Sequence, residues 1–164
     1  MKLSTRGRYA VMAMADLAQV QKDKPITLAD IATRQEISLS YLEQLFAQLR
    51  RAGLVTAIRG PGGGYRLAHP AGLTRISDII LAVDEPVKVT RCDPNTNIGC
   101  TSKGTRCLTH DLWDELSRQI NLFLSSVSLE DVIQRRVLGK SQVFAAATSE
   151  ETTDPSEAIA AAGE

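Results

Sequence analysis

Residues 27–54, TLADIATRQEISLSYLEQLFAQLRRAGL, carry the pattern of two helices joined by a tight turn. Thr27 is followed three residues later by Asp30, which is the spacing of a capping box at a helix N-terminus. We expect this helix to be short and to end near Gln35. Ile37-Ser38 then forms the turn before the second helix.

The second helix has apolar residues that recur every three or four positions. Ser38 and Ser40 are both suitable N-caps, and Ser40 with Glu43 predicts a second capping box. Gly53 stands where a left-handed C-terminal cap is expected. The recurring aromatic and aliphatic residues are Tyr41, Leu42, Leu45, Phe46 and Leu49.

The flanking segments complete a winged helix-turn-helix. An apolar pattern at helical spacing predicts a first helix from about Leu3 to Gln21. After the turn region, 54–59 and 65–68 alternate like strands around a glycine-rich tip and predict a hairpin. We therefore expect a mainly α fold with a small β-hairpin, whose winged helix-turn-helix occupies 1–72.

The rest of the chain predicts four segments. Residues 73–90 form a connecting helix and linker, and 91–110 form a polar loop rich in Asn, Thr, Gly and Cys. A long amphipathic helix from Leu108 to Ser126, followed by a short helix to about Val137, accounts for 108–137. Residues 145–164 have the composition of a disordered acidic tail.

Charge is distributed unevenly along a chain of zero formal net charge. Residues 1–70 contain ten Lys or Arg and five Asp or Glu, whereas the segment after residue 148 contains five acidic residues and no basic one. A basic N-terminal region suits a polyanion such as DNA. We expect a cytoplasmic protein without membrane contact, because no membrane span or signal peptide is recognisable.

The fold predicts which residues contact double-stranded DNA. The helix after the turn lies in the major groove in such proteins, and the wing tip reaches the backbone or the minor groove. Glu43 either selects bases, by accepting a hydrogen bond from cytosine, or only caps the helix with Ser40. Arg51 adds a phosphate contact. The predicted DNA-binding residues are Ser38, Ser40, Tyr41, Glu43, Gln44, Arg50, Arg59, Gly60, Pro61 and Gly62.

The glycine-rich tip is not a nucleotide-binding loop. Such loops join a strand to a helix and carry a GK[ST] or GxGxxG spacing, whereas here a second strand follows.

All three cysteines fall in one loop, at Cys92, Cys100 and Cys107, and His110 follows the last of them. Such clustering predicts a ligand set for zinc or an iron–sulfur cluster, although the CxxC pairs usual for structural zinc are absent. If Cys107 begins the long helix, it shares a helix face with His110. A thiol-based redox enzyme is disfavoured, because the chain has no CxxC motif and no nucleophile–base pair.

The chain resembles the iron–sulfur-responsive regulators of the Rrf2 family over about residues 1–137. The matching blocks are LSTRGRYAV at 3–11, ISLSYLEQLF at 37–46, VxxIRGPGGGY at 55–65, VDE at 83–85, TRC at 90–92 and CLTH at 107–110. The gaps between the cysteines are longer than is usual in the family.

The resemblance implies a [2Fe–2S] cluster held by Cys92, Cys100, Cys107 and His110. It implies a homodimer formed through the long helices and bound to an operator, so that the long helix is a dimerisation helix. It further implies control of the operon for iron–sulfur cluster assembly, with the assembly machinery as cluster donor. A nitric-oxide-sensing or redox-sensing repressor of the same family and a zinc-stabilised DNA-binding protein are the alternatives.

Overall fold

The computed structural model describes residues 5–21, 24–83 and 105–138, and it confirms the predicted winged helix-turn-helix. These parts of the chain contain six α-helices, a short 3-10 helix and one two-stranded antiparallel sheet. The helices are α1 (Thr5–Val20), α2 (Leu28–Gln35), α3 (Leu39–Arg51), α4 (Ile76–Ala82), α5 (His110–Ser126) and α6 (Leu129–Ile133). The strands are β1 (Val55–Ile58) and β2 (Gly64–Leu67), and the 3-10 helix is Ala71–Leu73.

The core forms around one stripe of α3. Its side chains Leu42, Leu45, Phe46 and Leu49 are almost fully buried. They share a hydrophobic cluster with Ala10, Ala13, Met14 and Leu17 of α1 and with Leu28 and Ile31 of α2. Burial of each large aliphatic or aromatic side chain contributes about 1.5–3 kcal/mol, so this stripe fixes α3 against α1 and α2.

Thr27 caps the start of α2, which confirms the N-cap half of the predicted capping box. The Thr27 hydroxyl accepts the Asp30 amide N–H at 3.2 Å and donates to the Asp30 carboxylate at 2.8 Å. The helix ends in a left-handed turn at Glu36, whose φ is +54°. There the amide N–H of Ile37 donates to the carbonyl oxygen of Ala32 at 3.2 Å, which is the bond of a Schellman motif.

Of the two N-caps predicted for α3, only one lies at the start of the helix. Ser38 is the N-cap residue, and its side chain makes no capping hydrogen bond. Ser40 already lies inside the helix, so the predicted Ser40–Glu43 capping box is wrong. The C-terminal cap is confirmed: Gly53 has φ +75°, and the amide N–H of Leu54 donates to Leu49 at 3.0 Å.

One partly buried ion pair joins α1 and α2. Arg34 of α2 donates from Nη2 to Asp16 Oδ2 of α1 at 2.7 Å and from Nε to Oδ1 at 3.0 Å. Gln35 Nε2 donates to the same carboxylate at 2.9 Å. The Asp16 side chain is only 5% exposed, so three donors compensate for its removal from water. The hydrogen bond that Arg34 donates to Asp16 also raises the pKa of Arg34 above its ordinary value.

The hydrophobic core continues past residue 72 into α4 and α6. Ile79 and Val83 near α4, and Val127 and Leu129 at the start of α6, are buried in the same cluster as α1. Two backbone hydrogen bonds close this return: Ile76 N–H donates to Val127 at 3.0 Å, and Leu129 N–H donates to Thr74 at 2.8 Å. After α5 the chain therefore packs again on the winged helix-turn-helix.

The C-terminal elements match the sequence predictions in type and differ in length. Ser128 and Asp131 form a complete capping box at the start of α6, which ends at Ile133 rather than near Val137. α5 begins at His110 rather than Leu108. None of the helices in the described ranges has the length and apolarity that crossing a bilayer requires. The predicted linker after Val83, Cys92, Cys100 and the acidic tail lie outside the described residues.

We expect Glu36→Gly to raise the free energy of unfolding by about 0.5–1 kcal/mol. The left-handed conformation costs an L-residue roughly 1–2 kcal/mol, and the extra freedom of glycine in the unfolded chain offsets only part of that gain. Urea unfolding of the two proteins measures the difference. Glu36→Ala is the matched control, because it removes the same charge and keeps the backbone strain. Equal stabilisation by both substitutions would contradict this explanation.

Candidate nucleic-acid interface and ligand loop

The predicted DNA-binding residues of α3 lie on the side of the helix opposite its buried stripe. Ser38, Ser40, Glu43 and Gln44 are exposed, and all four lie at the N-terminal end of the helix. Tyr41 is half-buried, and its ring lies edge-on to Tyr9 of α1 with 6.0 Å between the ring centroids. These side chains form one accessible polar surface, as a helix that enters the major groove requires.

Glu43 is not a capping residue. It lies in the body of α3, and its carboxylate makes no hydrogen bond or ion pair to any residue that the structure describes. The sequence left two roles open for Glu43, base selection and helix capping, and the structure excludes capping. An exposed carboxylate on this surface can accept a hydrogen bond from cytosine, and it repels phosphates.

The hairpin holds its tip in a fixed shape. β1 and β2 pair from Val55↔Leu67 to Ile58↔Gly64. Beyond them, the amide N–H of Gly63 donates to Gly60 at 2.9 Å. Gly60 and Gly62 have φ of +104° and +74°, which L-residues rarely adopt. The tip residues Arg59, Gly60, Pro61 and Gly62 are all exposed.

The base of the wing is fastened to the body of the protein at Tyr65. Tyr65 N–H donates to Ile26 at 2.7 Å, and Ile26 N–H donates back at 3.0 Å. The Tyr65 ring packs edge-on against Phe46 of the α3 core with 5.0 Å between centroids. Gln21 at the end of α1 accepts the Leu67 N–H at 2.8 Å. These contacts fix the position of the hairpin relative to α3.

A polar groove of about 240 Å³ runs beside the exposed surface of α3. Arg6, from the first turn of α1, lines this groove together with residues of α3. Sequence reasoning did not single out Arg6 or Gln48, because their approach is a tertiary contact and the only local signal is the basic charge of residues 1–70. The lining residues are Arg6, Tyr41, Gln44, Leu45, Ala47, Gln48 and Arg51.

Of the four predicted metal ligands, the structure describes Cys107 and His110. They occupy the ends of a turn in which His110 N–H donates to the Cys107 carbonyl oxygen at 3.1 Å, immediately before α5. Cys107 therefore precedes the helix and does not share a helix face with His110, although the turn keeps the two residues within about 7 Å between Cα atoms. Cys107 Sγ lies 3.6 Å from Thr109 Oγ1.

The two remaining predicted ligands, Cys92 and Cys100, fall outside the described residues. Residues 5–21, 24–83 and 105–138 by themselves bring together no group of three His, Cys, Asp or Glu side chains that could hold a metal. A metal-ligand set at this turn would therefore need donors from outside the described residues.

α5 leaves an apolar stripe uncovered. No residue of this 17-residue helix is buried, and Leu112, Trp113 and Leu116 expose 62%, 42% and 38% of their surface. The other side of the helix is ionic. Hydrogen bonds from Arg118 and Gln119 lower the pKa of Glu115 to about 2. Exposed apolar residues on one side of an amphipathic helix indicate an interaction surface.

Comparison with known proteins places the chain in a family. The model of the Rrf2 family, described as iron-dependent transcriptional regulators, matches residues 3–135. The HTH-type transcriptional regulator IscR of Xenorhabdus nematophila is 52% identical over 136 residues, which is 83% of this chain and 81% of that protein.

Solved structures of similar proteins share the fold. The structure of IscR from T. potens matches with a TM-score of 0.67 and 37% identity, covering 83% of this chain and 88% of that one. The structure of CymR, the global cysteine regulator of B. subtilis, matches with a TM-score of 0.69 and 32% identity over 82% of this chain and 98% of that one. The relatives are named as transcriptional regulators and not as enzymes, in agreement with the sequence prediction.

We expect Gly64→Ala to detach the wing from Ile26. Gly64 has φ +157°, and a Cβ there would overlap the backbone carbonyl of Ile26, which cannot move aside. The substitution should cost roughly 1–3 kcal/mol of stability and speed amide exchange at Tyr65, whose N–H donates to Ile26 at 2.7 Å. Hydrogen exchange followed by NMR measures this.

Gly72→Ala is the matched control for the wing. A Cβ at Gly72 meets only the end of the flexible Glu130 side chain, so the control should leave exchange at Tyr65 unchanged. Unchanged exchange in Gly64→Ala as well would show that the contact with Ile26 does not hold the wing.

Proposed function

The chain belongs to the Rrf2 family of transcriptional regulators, and we propose that it senses iron–sulfur cluster supply and binds operator DNA accordingly. One observation carries the proposal. The turn that joins Cys107 to His110 leads directly into α5, and the other end of α5 returns to the DNA-binding core through the bonds at Val127 and Leu129. A group bound at that turn acts on the same helix that is fastened to the DNA-binding half.

The donor set at the turn fits an iron–sulfur cluster. Cys107 and His110 would hold the group together with Cys92 and Cys100, so that three thiolates and one imidazole are available. Bound there, a [2Fe–2S] cluster would supply iron centres for these thiolate and imidazole donors to ligate. One neutral imidazole among three anionic thiolates makes the group easier to release than four thiolates would, which suits a sensor.

Operator recognition is assigned to α3 and the wing. Ser38, Ser40, Tyr41, Glu43 and Gln44 would meet base edges in the major groove, where Gln suits adenine and the Glu43 carboxylate suits cytosine. At the wing, Arg59 enters the minor groove while the glycines let the backbone approach the DNA closely. Arg50, exposed in the last turn of α3, would neutralise a phosphate.

Two copies of the chain are proposed to bind together. Pairing of α5 with its counterpart buries Leu112, Trp113 and Leu116, which are exposed in one copy. A two-fold dimer places the two α3 helices on half-sites about one turn of DNA apart. Because α5 also carries the ligand turn, ordering of that turn can set the spacing of the two recognition helices.

The proposed setting follows from the similarity to IscR regulators. The protein works in the cytoplasm, receives its cluster from the iron–sulfur assembly machinery, and controls the operon that encodes this machinery, as repressor or in a dual role. The regulator thereby closes a feedback loop on cluster supply. Nitric-oxide or redox sensing by the same cluster, and a structural zinc ion in its place, are distinguished by the experiment below.

Anaerobic purification with an absorption spectrum and iron and sulfide analysis tests the cluster. We expect a brown-red protein with equal amounts of iron and sulfide, and different affinities of the cluster-bound and cluster-free forms for the operator. A colourless protein that contains zinc would overturn the proposal. Cluster-bound protein whose operator affinity changes with nitric oxide or an oxidant, and not with cluster removal, would point to the alternative sensing role.

His110→Cys tests the role of the imidazole. The variant should lose its cluster to a chelator more slowly than the parent protein, because an anionic thiolate replaces the neutral ligand. His69→Cys is the control, since His69 is exposed at the end of the hairpin, in a different part of the chain. If cluster loss is no slower in His110→Cys, the argument that a neutral imidazole makes the cluster easier to release is wrong.

Trp113→Glu should weaken dimerisation by roughly a hundredfold or more, because it places an unpaired charge in a buried apolar contact. Sedimentation velocity over a range of protein concentrations measures the dissociation constant. Ser125→Glu adds the same charge at an exposed position about 120° or more around the α5 axis from Leu112, Trp113 and Leu116, and it should leave the dissociation constant unchanged. If both substitutions changed the dissociation constant equally, the apolar stripe of α5 would not be the dimer interface.

A further inference from the structure

The groove between α1 and α3 has the chemistry of an anion site. Its lining residues include Arg6 and Arg51, Gln44 and Gln48, and Tyr41, and among the described residues no Asp or Glu lines it. Arginine offers five N–H donors in a planar fork that matches phosphate oxygens. Arg51 uses its Nε on the Ala47 carbonyl oxygen at 3.3 Å, and this bond does not involve the donors on its two terminal nitrogens.

The position of Arg6 is set by aromatic packing one turn further along α1. Tyr9 lies three residues after Arg6, so both project from the same side of the helix. The edge-on contact between Tyr9 and Tyr41, with 6.0 Å between centroids, holds that side of α1 against α3. The first turn of α1 is therefore held at the groove, although Arg6 itself is exposed.

The groove lies along the flank of the recognition helix. Tyr41, Gln44, Gln48 and Arg51 are spaced three or four residues apart and form one stripe of about 15 Å from first to last. This stripe borders the residues proposed to contact bases and shares Tyr41 and Gln44 with them. When a helix lies in the major groove, which is about 12 Å wide, its flanks face the phosphates of the groove wall.

We propose that Arg6, Gln48 and Arg51 bind one backbone phosphate of the operator, so that α1 docks on the DNA beside the recognition helix. The proposal rests on the docking of α3 in the major groove described above, and it adds a contact from outside the helix-turn-helix. A phosphate contact fixes register and orientation and carries no base information. Arg6 is therefore predicted to contribute equally to operator and unrelated DNA.

Binding to labelled duplexes over a range of salt concentrations tests the proposal. For Arg6→Gln we expect a loss of affinity on the order of tenfold for the operator and for an unrelated duplex alike. The slope of log affinity against log salt should become shallower by about 0.9, because the variant neutralises one phosphate fewer than the parent. Arg118→Gln on α5 removes the same charge far from the groove and should match the parent, and thermal unfolding checks that both variants are folded.

Each outcome decides between distinct conclusions. An unchanged salt slope for Arg6→Gln would overturn the phosphate site, even where the parent binds the operator well. A loss confined to the operator would mean that Arg6 contacts a base instead. Failure of the parent protein itself to prefer the operator would contradict the docking of α3 rather than the role of Arg6. Gln48→Leu should reproduce a smaller uniform loss without a change in slope, because it removes a donor and no charge.

Discussion

Burial of one stripe of α3 is the constraint on which the DNA-binding surface depends. Leu42, Leu45, Phe46 and Leu49 can leave water only if α3 turns this side toward α1 and α2. A helix has a single rotational setting that satisfies this condition, and that setting presents Ser40, Glu43 and Gln44 to solvent. Apolar packing thus orients polar side chains that it does not touch. The same core holds the wing, since Phe46 contacts Tyr65 at the base of the hairpin.

Polar contacts between α1 and α2 orient the two helices and contribute little of the stability. The Asp16 carboxylate is nearly inaccessible and accepts from both Arg34 and Gln35, which allows one relative position of α1 and α2. Desolvation of such a pair largely cancels its Coulombic gain, whereas loss of one partner would leave a buried charge. The short bend at Glu36 then places α3 relative to α2 at the expense of a left-handed backbone.

The return of the chain after α5 gives the ligand turn a mechanical connection to DNA binding. Thr74 and Ile76 follow the 3-10 helix after the hairpin, and they form backbone hydrogen bonds with Leu129 and Val127, which follow α5. A single helix therefore has the proposed cluster ligand His110 at one end and the DNA-binding core at the other. In the proposed dimer, movement of α5 would change the distance between two recognition helices rather than the shape of either one.

The sequence by itself determined every feature that local chemistry controls. The Thr27 cap, the Ser128 capping box, the Gly53 terminus and the glycine tip of the hairpin depend on residues a few positions apart, so the order and type of the elements could be predicted. The errors lay at helix starts: Ser38 and not Ser40 begins α3, and a turn rather than a helix joins Cys107 to His110. Only the tertiary structure brought Arg6 to Gln48 and Val127 to Ile76. These contacts join segments distant in the chain, and the burial of a shared core rather than any local pattern selects them.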